Sequence, residues 1–151
     1  MCEYKGVELK TLSRLLIAVF FLLVAIGGVE PDAIASQTVT QVKVIETEMA
    51  IELSPRTVPA GKVEFVADNQ GQLPHEMEII KTDLPLDQMP IKDHRLERKK
   101  VGEKIDEIEA EDLPSGAIAT LMTHLEPGRY LIECNIPGHF QAGMKAELVV
   151  E

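Results

Sequence analysis

Eleven residues near the C-terminus constrain this chain more than any other stretch: Cys134-Asn135-Ile136-Pro137-Gly138-His139-Phe140-Gln141-Ala142-Gly143-Met144. A thiol, an imidazole and a thioether follow one another here, with four residues between Cys134 and His139 and four between His139 and Met144. The Pro137-Gly138 dipeptide between the thiol and the imidazole favours a turn. Sulfur ligands are soft and imidazole is borderline, so the set suits copper better than a hard metal. A trigonal blue-copper site takes one Cys, two His and a weak axial Met. The stretch therefore contains such a site except for one histidine.

The missing histidine must come from another part of the chain. His75, in Leu73-Pro74-His75-Glu76-Met77, is the best candidate, because its segment resembles the one that carries the first histidine in small blue copper proteins. His94, in a highly charged stretch, and His124, just before a Glu-Pro-Gly turn, are the alternatives. The predicted metal ligands are His75, Cys134, His139 and Met144.

Several segments of the chain resemble the cupredoxins, the small blue copper proteins. The resemblance lies in Asn69-Gln70-Gly71, Pro74-His75, Met77–Ile80, Val58–Phe65, Arg129–Cys134 and Lys145–Val150, together with the Cys134–Met144 loop. The spacing of that loop is closer to the rusticyanin and sulfocyanin types than to plastocyanin, whose gap between Cys and His is shorter. The resemblance extends from about Val39 to the C-terminus and covers residues 83–115 poorly.

The resemblance implies a function as well as a site. Cupredoxins of this kind hold one mononuclear type 1 copper ion and carry single electrons between redox partners. We therefore expect that this protein is not an enzyme and has no catalytic residues. The expected partner is a cytochrome or a membrane oxidase or reductase. In the family, the residue after the first histidine is usually Asn or Ser, which helps to tie the two ligand loops together. This chain has Glu76 there, and an ionised carboxylate cannot donate a hydrogen bond.

Short alternating segments punctuated by Pro and Gly predict an all-β fold. The predicted strands are Thr38–Glu46, Met49–Leu53, Lys62–Ala67, Glu76–Lys81, Ala117–Met122, a strand ending at Cys134, and Lys145–Val150. Together with the resemblance they indicate a cupredoxin-like Greek-key β-sandwich. In such a sandwich the loop between the last two strands lies at one end of the sheet, so His75 must reach that same end.

Residues 83–115 form a charged insert. Arg95, Arg98 and the lysines that follow give it a basic start, and its later part is acidic. Leu96, Val101 and Ile105 recur at roughly helical spacing, so we predict short amphipathic helical turns across the sandwich, interrupted at Gly102. A solvated face is the simpler interpretation of its charges, and a docking site is the alternative.

The charge balance argues against nucleic acid as a partner. The chain has 25 acidic and 15 basic residues, for a net charge of −10. No basic stripe occurs that would bind a phosphate backbone. The acidity fits a soluble protein, and it would also guide a positively charged partner.

The first 35 residues read as a leader. Three basic residues precede an apolar run from Leu15 to Val29, and Ala33-Ile34-Ala35 offers a cleavage site after Ala35. We therefore predict a signal peptide or membrane anchor over residues 1–35 and a mature domain over 36–151, exported to the periplasm or the outer face of the cell membrane. An uncleaved leader would attach the protein to the membrane through residues 15–29. The mature chain, with 12 basic and 21 acidic residues, has a net charge of −9 and keeps one cysteine, Cys134, for which metal ligation is a ready explanation.

Two other functions stay open. A copper delivery or sequestration module would use the same ligands without fast electron transfer. An enzyme or sensor at copper would need an open coordination position, and Met144 weighs against one. A binuclear copper centre would need two cysteines in the loop, which has only Cys134.

Overall fold

The computed structural model describes residues 38–151, which form eleven strands and one short helix. The strands are β1 (Thr40–Thr47), β2 (Ala50–Ser54), β3 (Thr57–Val58), β4 (Gly61–Asn69), β5 (Met77–Lys81), β6 (Ile91–Lys92), β7 (Arg95–Leu96), β8 (Glu103–Ile108), β9 (Ile118–Leu125), β10 (Gly128–Glu133) and β11 (Lys145–Val150). The helix is α1 (His139–Ala142). The leader predicted over residues 1–35 lies outside the described residues. Within residues 38–151, no helix has the length and apolarity to span a membrane.

The long strands form two sheets that face each other. The first has the order β2-β1-β4-β9, and the second has the order β3-β11-β10-β5-β8. Strand β1 runs parallel to β4, and β3 runs parallel to β11, whereas the other pairs are antiparallel. This is the predicted all-β Greek-key sandwich, and all seven predicted strands are present with boundaries shifted by a few residues.

Alternation along the strands builds the core between the sheets. In β1 the inward residues include Val42 and Val44, and in β4 they include Val63, Phe65 and Ala67; all five are buried. The second sheet adds its own inward residues: Met77, Ile79, Tyr130, Ile132, Ala146, Leu148 and Val150. Burying a large apolar side chain contributes about 1.5–3 kcal/mol, so this layer is the main source of stability.

The outer face of the second sheet is also covered. Ile80 and Leu131 point away from the main core and pack with Phe140 and with Met89, Leu96 and Val101 of the insert. Strands β5 and β10 are consequently buried on both faces, which explains the adjacent apolar residues Ile79–Ile80 and Tyr130–Ile132.

The insert differs from the predicted amphipathic helix. It contains 3₁₀ turns at Leu86–Gln88 and Arg98–Lys100 and the small hairpin β6–β7, but Glu103–Ile108 is a strand paired with β5. Without β8 the backbone groups along that side of β5 would lack partners, and this requirement outweighs the helical spacing of the side chains. The acidic residues of β8 then protect the open edge of the sheet from pairing with another chain.

Candidate metal centre

Both predicted ligand segments lie at one end of the sandwich. Glu133 of β10 pairs with Glu78 of β5, so the end of β10 and the start of β5 are neighbours. Glu46 near the end of β1 pairs with Asn69 at the end of β4. The loop after β4, the loop after β10 and the turn between β1 and β2 therefore meet at the same place.

Asn69 braces the loop that carries His75. Its buried side-chain amide donates to the carbonyl of Leu73 at 2.8 Å and to that of Leu113 at 3.0 Å. Its side-chain oxygen accepts from the backbone N–H of Gly71 at 2.9 Å. The backbone N–H of His75 also donates to Leu113, at 3.2 Å. Asn69 thus supports the His75 loop with three hydrogen bonds.

Backbone hydrogen bonds close the second loop. The N–H of Cys134, directly after β10, donates to the carbonyl of Met144 at 3.2 Å, and the N–H of Met144 donates to the carbonyl of His139 at 3.1 Å. His139 begins α1 after Gly138, whose φ of +89° suits glycine. Met144 is fully buried just before β11. The loop therefore holds Cys134, His139 and Met144 next to one another.

The structure brings the His75, Cys134 and His139 side chains together. Their potential ligand atoms all lie within 4.8 Å of one another, and all three residues are buried. Cys134 Sγ lies 3.4 Å from His139 Nδ1. The two imidazoles meet edge-on, with ring centroids 5.2 Å apart. Three of the four predicted ligand residues thus converge from two loops that are far apart in sequence.

The chemistry of these three groups fits a copper ion. Both ring nitrogens of His75 are buried and have no hydrogen-bond partner, an arrangement that is costly in a protein without a metal. Burial lowers the pKa of His75 and of His139, so both imidazoles are neutral and offer lone pairs. Burial raises the pKa of the Cys134 thiol to about 12, so its proton must leave when a metal binds. One soft sulfur and two imidazoles suit copper.

Neither alternative histidine reaches this cluster. His94 is exposed in the β6–β7 turn, and His124 is exposed on β9, where its Nε2 lies 3.3 Å from Glu126. Among the methionines outside the loop, Met77 and Met89 are buried in apolar clusters, and Met122 is 54% exposed.

Asn135 and the β6–β7 hairpin support the Cys134–His139 loop, and this support was not predicted from the sequence. The side-chain oxygen of Asn135 accepts from the N–H of Leu96 at 2.7 Å, and its backbone oxygen accepts from Arg95 Nη1 at 3.0 Å. The N–H of Gly138 donates to the carbonyl of His94 at 2.8 Å. The insert is therefore more than a solvated face, because its hairpin fastens the loop between Cys134 and His139. The two-residue turn between Lys92 and Arg95 was the available signal.

The surface around His139 is partly apolar. His139 is 8% exposed, whereas His75, Cys134 and Met144 are completely buried. Leu73 is 45% exposed, Pro137 is exposed and Ile136 is half-buried. Phe140, the residue after His139, is not part of this surface, because it is buried in the cluster under the insert.

The two facing sheets with a buried Cys and His cluster at one end define the chain as a cupredoxin. Its fold is similar to that of reduced auracyanin from the photosynthetic bacterium Roseiflexus castenholzii, with 22% identity, a TM-score of 0.51, and coverage of 76% of this chain and 97% of that one. Reduced rusticyanin, solved by NMR, gives 22% identity and a TM-score of 0.54 over 75% and 77% of the two chains. Rusticyanin from Thiobacillus ferrooxidans gives 18% identity and a TM-score of 0.50 over 77% and 79%.

The chain belongs to the sulfocyanin (SoxE) family, because the family model of the sulfocyanin (SoxE) domain matches residues 46–151. No curated protein matches the sequence. Cupredoxins bind one type 1 copper ion and are electron carriers rather than enzymes, and the cluster of His75, Cys134 and His139, with Met144 beside it, fits that ion.

Proposed function

We propose that this protein is an exported one-electron carrier whose copper is held by His75, Cys134, His139 and Met144. The observation that carries the proposal is the convergence of two buried imidazoles and a buried thiol within 4.8 Å. A bound copper ion would supply the one-electron change between Cu(I) and Cu(II). Met144 is buried beside this cluster and would complete the donor set. Such a set leaves no open position for a substrate, whereas catalytic metal sites generally keep one.

Hydrogen bonds within the protein hold both ligand loops in place. The Cys134–Met144 hydrogen bond, the three bonds of Asn69 and the hairpin bonds to Asn135 fix both loops. A site fixed in this way changes little when its charge changes, and burial keeps water out. Both properties favour rapid electron exchange over slow release of a metal.

His139 is the proposed route for the electron. Among the four residues it alone has measurable exposure, and Ile136 and Pro137, which precede it in the same loop, add partly exposed apolar surface, as does Leu73 in the His75 loop. Such a surface suits brief contact with a redox protein, for which we propose a cytochrome or a membrane oxidase or reductase. The net charge of −10 would assist the approach of a partner with positive surface charge.

We propose that the protein is exported, either to the periplasm or to the outer face of the cell membrane. The support is the charged, apolar and small-residue pattern of residues 1–35. The mass of the protein isolated from its own cells tests the leader. A mass equal to that of residues 36–151 would indicate cleavage after Ala35. The mass of the full chain, found in the membrane fraction, would indicate anchoring through residues 15–29.

The copper site is tested by visible absorption and electron paramagnetic resonance after one equivalent of Cu(II) is added. We expect an intense thiolate-to-copper band and a narrow copper hyperfine splitting, both lost in Cys134→Ser and His75→Ala. His124→Ala is the matched control, because it removes an exposed histidine and should keep the full signal. A pale wild-type protein with ordinary tetragonal copper would overturn the proposed site.

Electron transfer requires its own test. Stopped-flow mixing of the copper-loaded protein with a cytochrome should show fast, reversible exchange of one electron. A protein that binds copper as expected but exchanges electrons slowly would support the delivery or sequestration function instead.

A further inference from the structure

Glu48 lies in the turn between β1 and β2, at the end of the sandwich where the ligand loops meet. Its Oε1 accepts hydrogen bonds from the backbone N–H groups of Gln72 and Leu73, at 2.7 and 2.8 Å. The bond from Leu73 is the main reason that the pKa of Glu48 lies below its ordinary value. A carboxylate is thereby attached to the loop that carries His75.

The same oxygen also faces the His75 ring. Glu48 Oε1 lies 3.5 Å from His75 Nε2, slightly beyond the range of a well-formed N–H···O bond. His75 is completely buried, and no other group in residues 38–151 forms a hydrogen bond with either ring nitrogen. Glu48 is therefore the one protein acceptor that this part of the chain offers to the Nε2–H.

We propose that Glu48 is a positioning residue for His75: its carboxylate accepts a hydrogen bond from the Nε2–H group and leaves the Nδ1 lone pair for the metal. The inference rests on the proposed copper site. Histidines that bind metals almost always donate their other ring N–H to a carboxylate, a carbonyl or water, and this bond fixes both the tautomer and the ring orientation. A carboxylate in that position makes the imidazole nitrogen a stronger electron-pair donor to the metal, which favours Cu(II) over Cu(I).

Close packing around the turn supports this role. A Cβ atom on Gly71 would lie 2.5 Å from Glu48 Oε1, so the absence of a side chain there lets the carboxylate reach the loop. A Cβ atom on Gly143 would lie 2.6 Å from the carbonyl oxygen of Met49. The Glu48–Met49 turn thus packs against both ligand loops.

The other carboxylates near the site are placed differently. Glu76 is engaged by the backbone N–H of Asn135. Glu46 points into the core with Val42 and Val44 and forms no hydrogen bond within the described chain. Contact with a ring nitrogen of the site distinguishes Glu48 from both.

The test compares Glu48→Gln, Glu48→Ala and the matched control Glu52→Gln, in which the same charge is lost from an exposed position on β2. The first measurement is ¹⁵N NMR of the histidines in the metal-free protein, and it requires no copper. We expect the Nε2–H tautomer of His75 in the wild type, in Glu48→Gln and in Glu52→Gln, and a mixture of tautomers in Glu48→Ala. Glutamine keeps an oxygen acceptor for the loop, so Glu48→Gln separates loss of charge from loss of folding.

The second set of measurements is made on the copper-loaded proteins. The reduction potential of Glu48→Gln should be higher than that of the wild type and of Glu52→Gln. Copper affinity should fall about 10- to 100-fold in Glu48→Ala, as is usual for the loss of such a partner.

The possible failures are distinguishable. A normal blue band in the wild type with an Nδ1–H tautomer at His75 would overturn the role of Glu48 alone. So would potentials of the Glu48 variants that match Glu52→Gln. Absence of the blue band in the wild type would overturn the copper site itself, and the NMR measurement would still decide whether Glu48 orients His75.

Discussion

The carboxylate of Glu76 connects the two ligand loops by accepting a hydrogen bond from the backbone N–H of Asn135 at 2.9 Å. The backbone N–H of Glu76 also points at Cys134 Sγ, 3.5 Å away. The resemblance to other cupredoxins placed an Asn or Ser at this position. Glutamate therefore keeps the connection between the loops as an acceptor, and it adds a negative charge beside the thiol.

We predict that Glu76→Asn raises the reduction potential. Removal of a carboxylate from the neighbourhood of the site makes the more positive Cu(II) state less favourable, by on the order of 100 mV at an effective dielectric constant of about 20. Asparagine can still accept from Asn135, so the fold should be unaffected. Voltammetry of the two proteins measures the difference, and an unchanged or lower potential would contradict the prediction.

Metal binding should release about one proton near pH 7. Burial raises the pKa of the Cys134 thiol to about 12, and both imidazoles are already neutral, so the thiol is the one ligand that must lose a proton. Apparent affinity for Cu(I) should then rise about tenfold per pH unit around neutrality. Calorimetry in two buffers of different ionisation enthalpy counts the protons, with Cys134→Ser as control. Release of no proton would mean that the thiolate is already formed.

The buried carboxyl of Glu46 should contribute less stability to the metal-free protein as pH rises from about 4.5 to about 8. Burial, together with the nearby Glu76 charge, raises the pKa of Glu46 from 4.5 to about 8. In this window the folded carboxyl keeps its proton while the unfolded one loses it, so the unfolded state binds fewer protons and each pH unit costs up to about 1.4 kcal/mol. Glu133, whose pKa burial raises to about 9, contributes with the same sign.

Glu46→Gln isolates the contribution of Glu46 to this pH dependence. The variant should be more stable than the wild type at pH 8 and should show a shallower loss between pH 5 and 8, measured by urea unfolding. Glu52→Gln, at an exposed position, should keep the wild-type slope. Equal slopes in all three proteins would show that Glu46 ionises freely in the folded state.

Gly143→Ala should be more damaging than Gly138→Ala. Both glycines have positive φ, +132° and +89°, so alanine is strained at either position. Only at Gly143 would the added Cβ meet another group, the carbonyl oxygen of Met49 at 2.6 Å; at Gly138 it would find open space. We expect an additional destabilisation of roughly 1–3 kcal/mol for Gly143→Ala, measured by denaturant unfolding of the metal-free proteins. Equal destabilisation of the two variants would show that the Glu48–Met49 turn moves aside without a loss of stability.

The sequence predicted the strands that alternate and the loop that joins the last two. Val42 and Val44 in β1, and Val63 and Phe65 in β4, lie on one face because side chains alternate along a strand. The spacing of Cys134, His139 and Met144 is likewise local, so it could be read without a structure. His75 was predicted from the resemblance of its segment to cupredoxins, and the structure brings it to Cys134 and His139. Its ligation to copper, with that of Met144, stays a prediction.

Features that depend on contacts between distant parts of the chain could not be predicted from the local sequence. Strand β8 was predicted as helix because its role as partner of β5 is invisible in its own sequence. The attachment of the β6–β7 hairpin to Asn135 and the acceptor role of Glu76 arise from contacts between residues 39 and 59 positions apart, and the inward position of Phe140 depends on its packing under the insert. Glu48 looks like any surface glutamate until the β1–β2 turn meets the His75 loop. The sequence by itself determined which side chains suit the metal, because ligand chemistry belongs to single residues; the tertiary structure alone decided what surrounds them, because hydrogen bonds and burial depend on how strands pair.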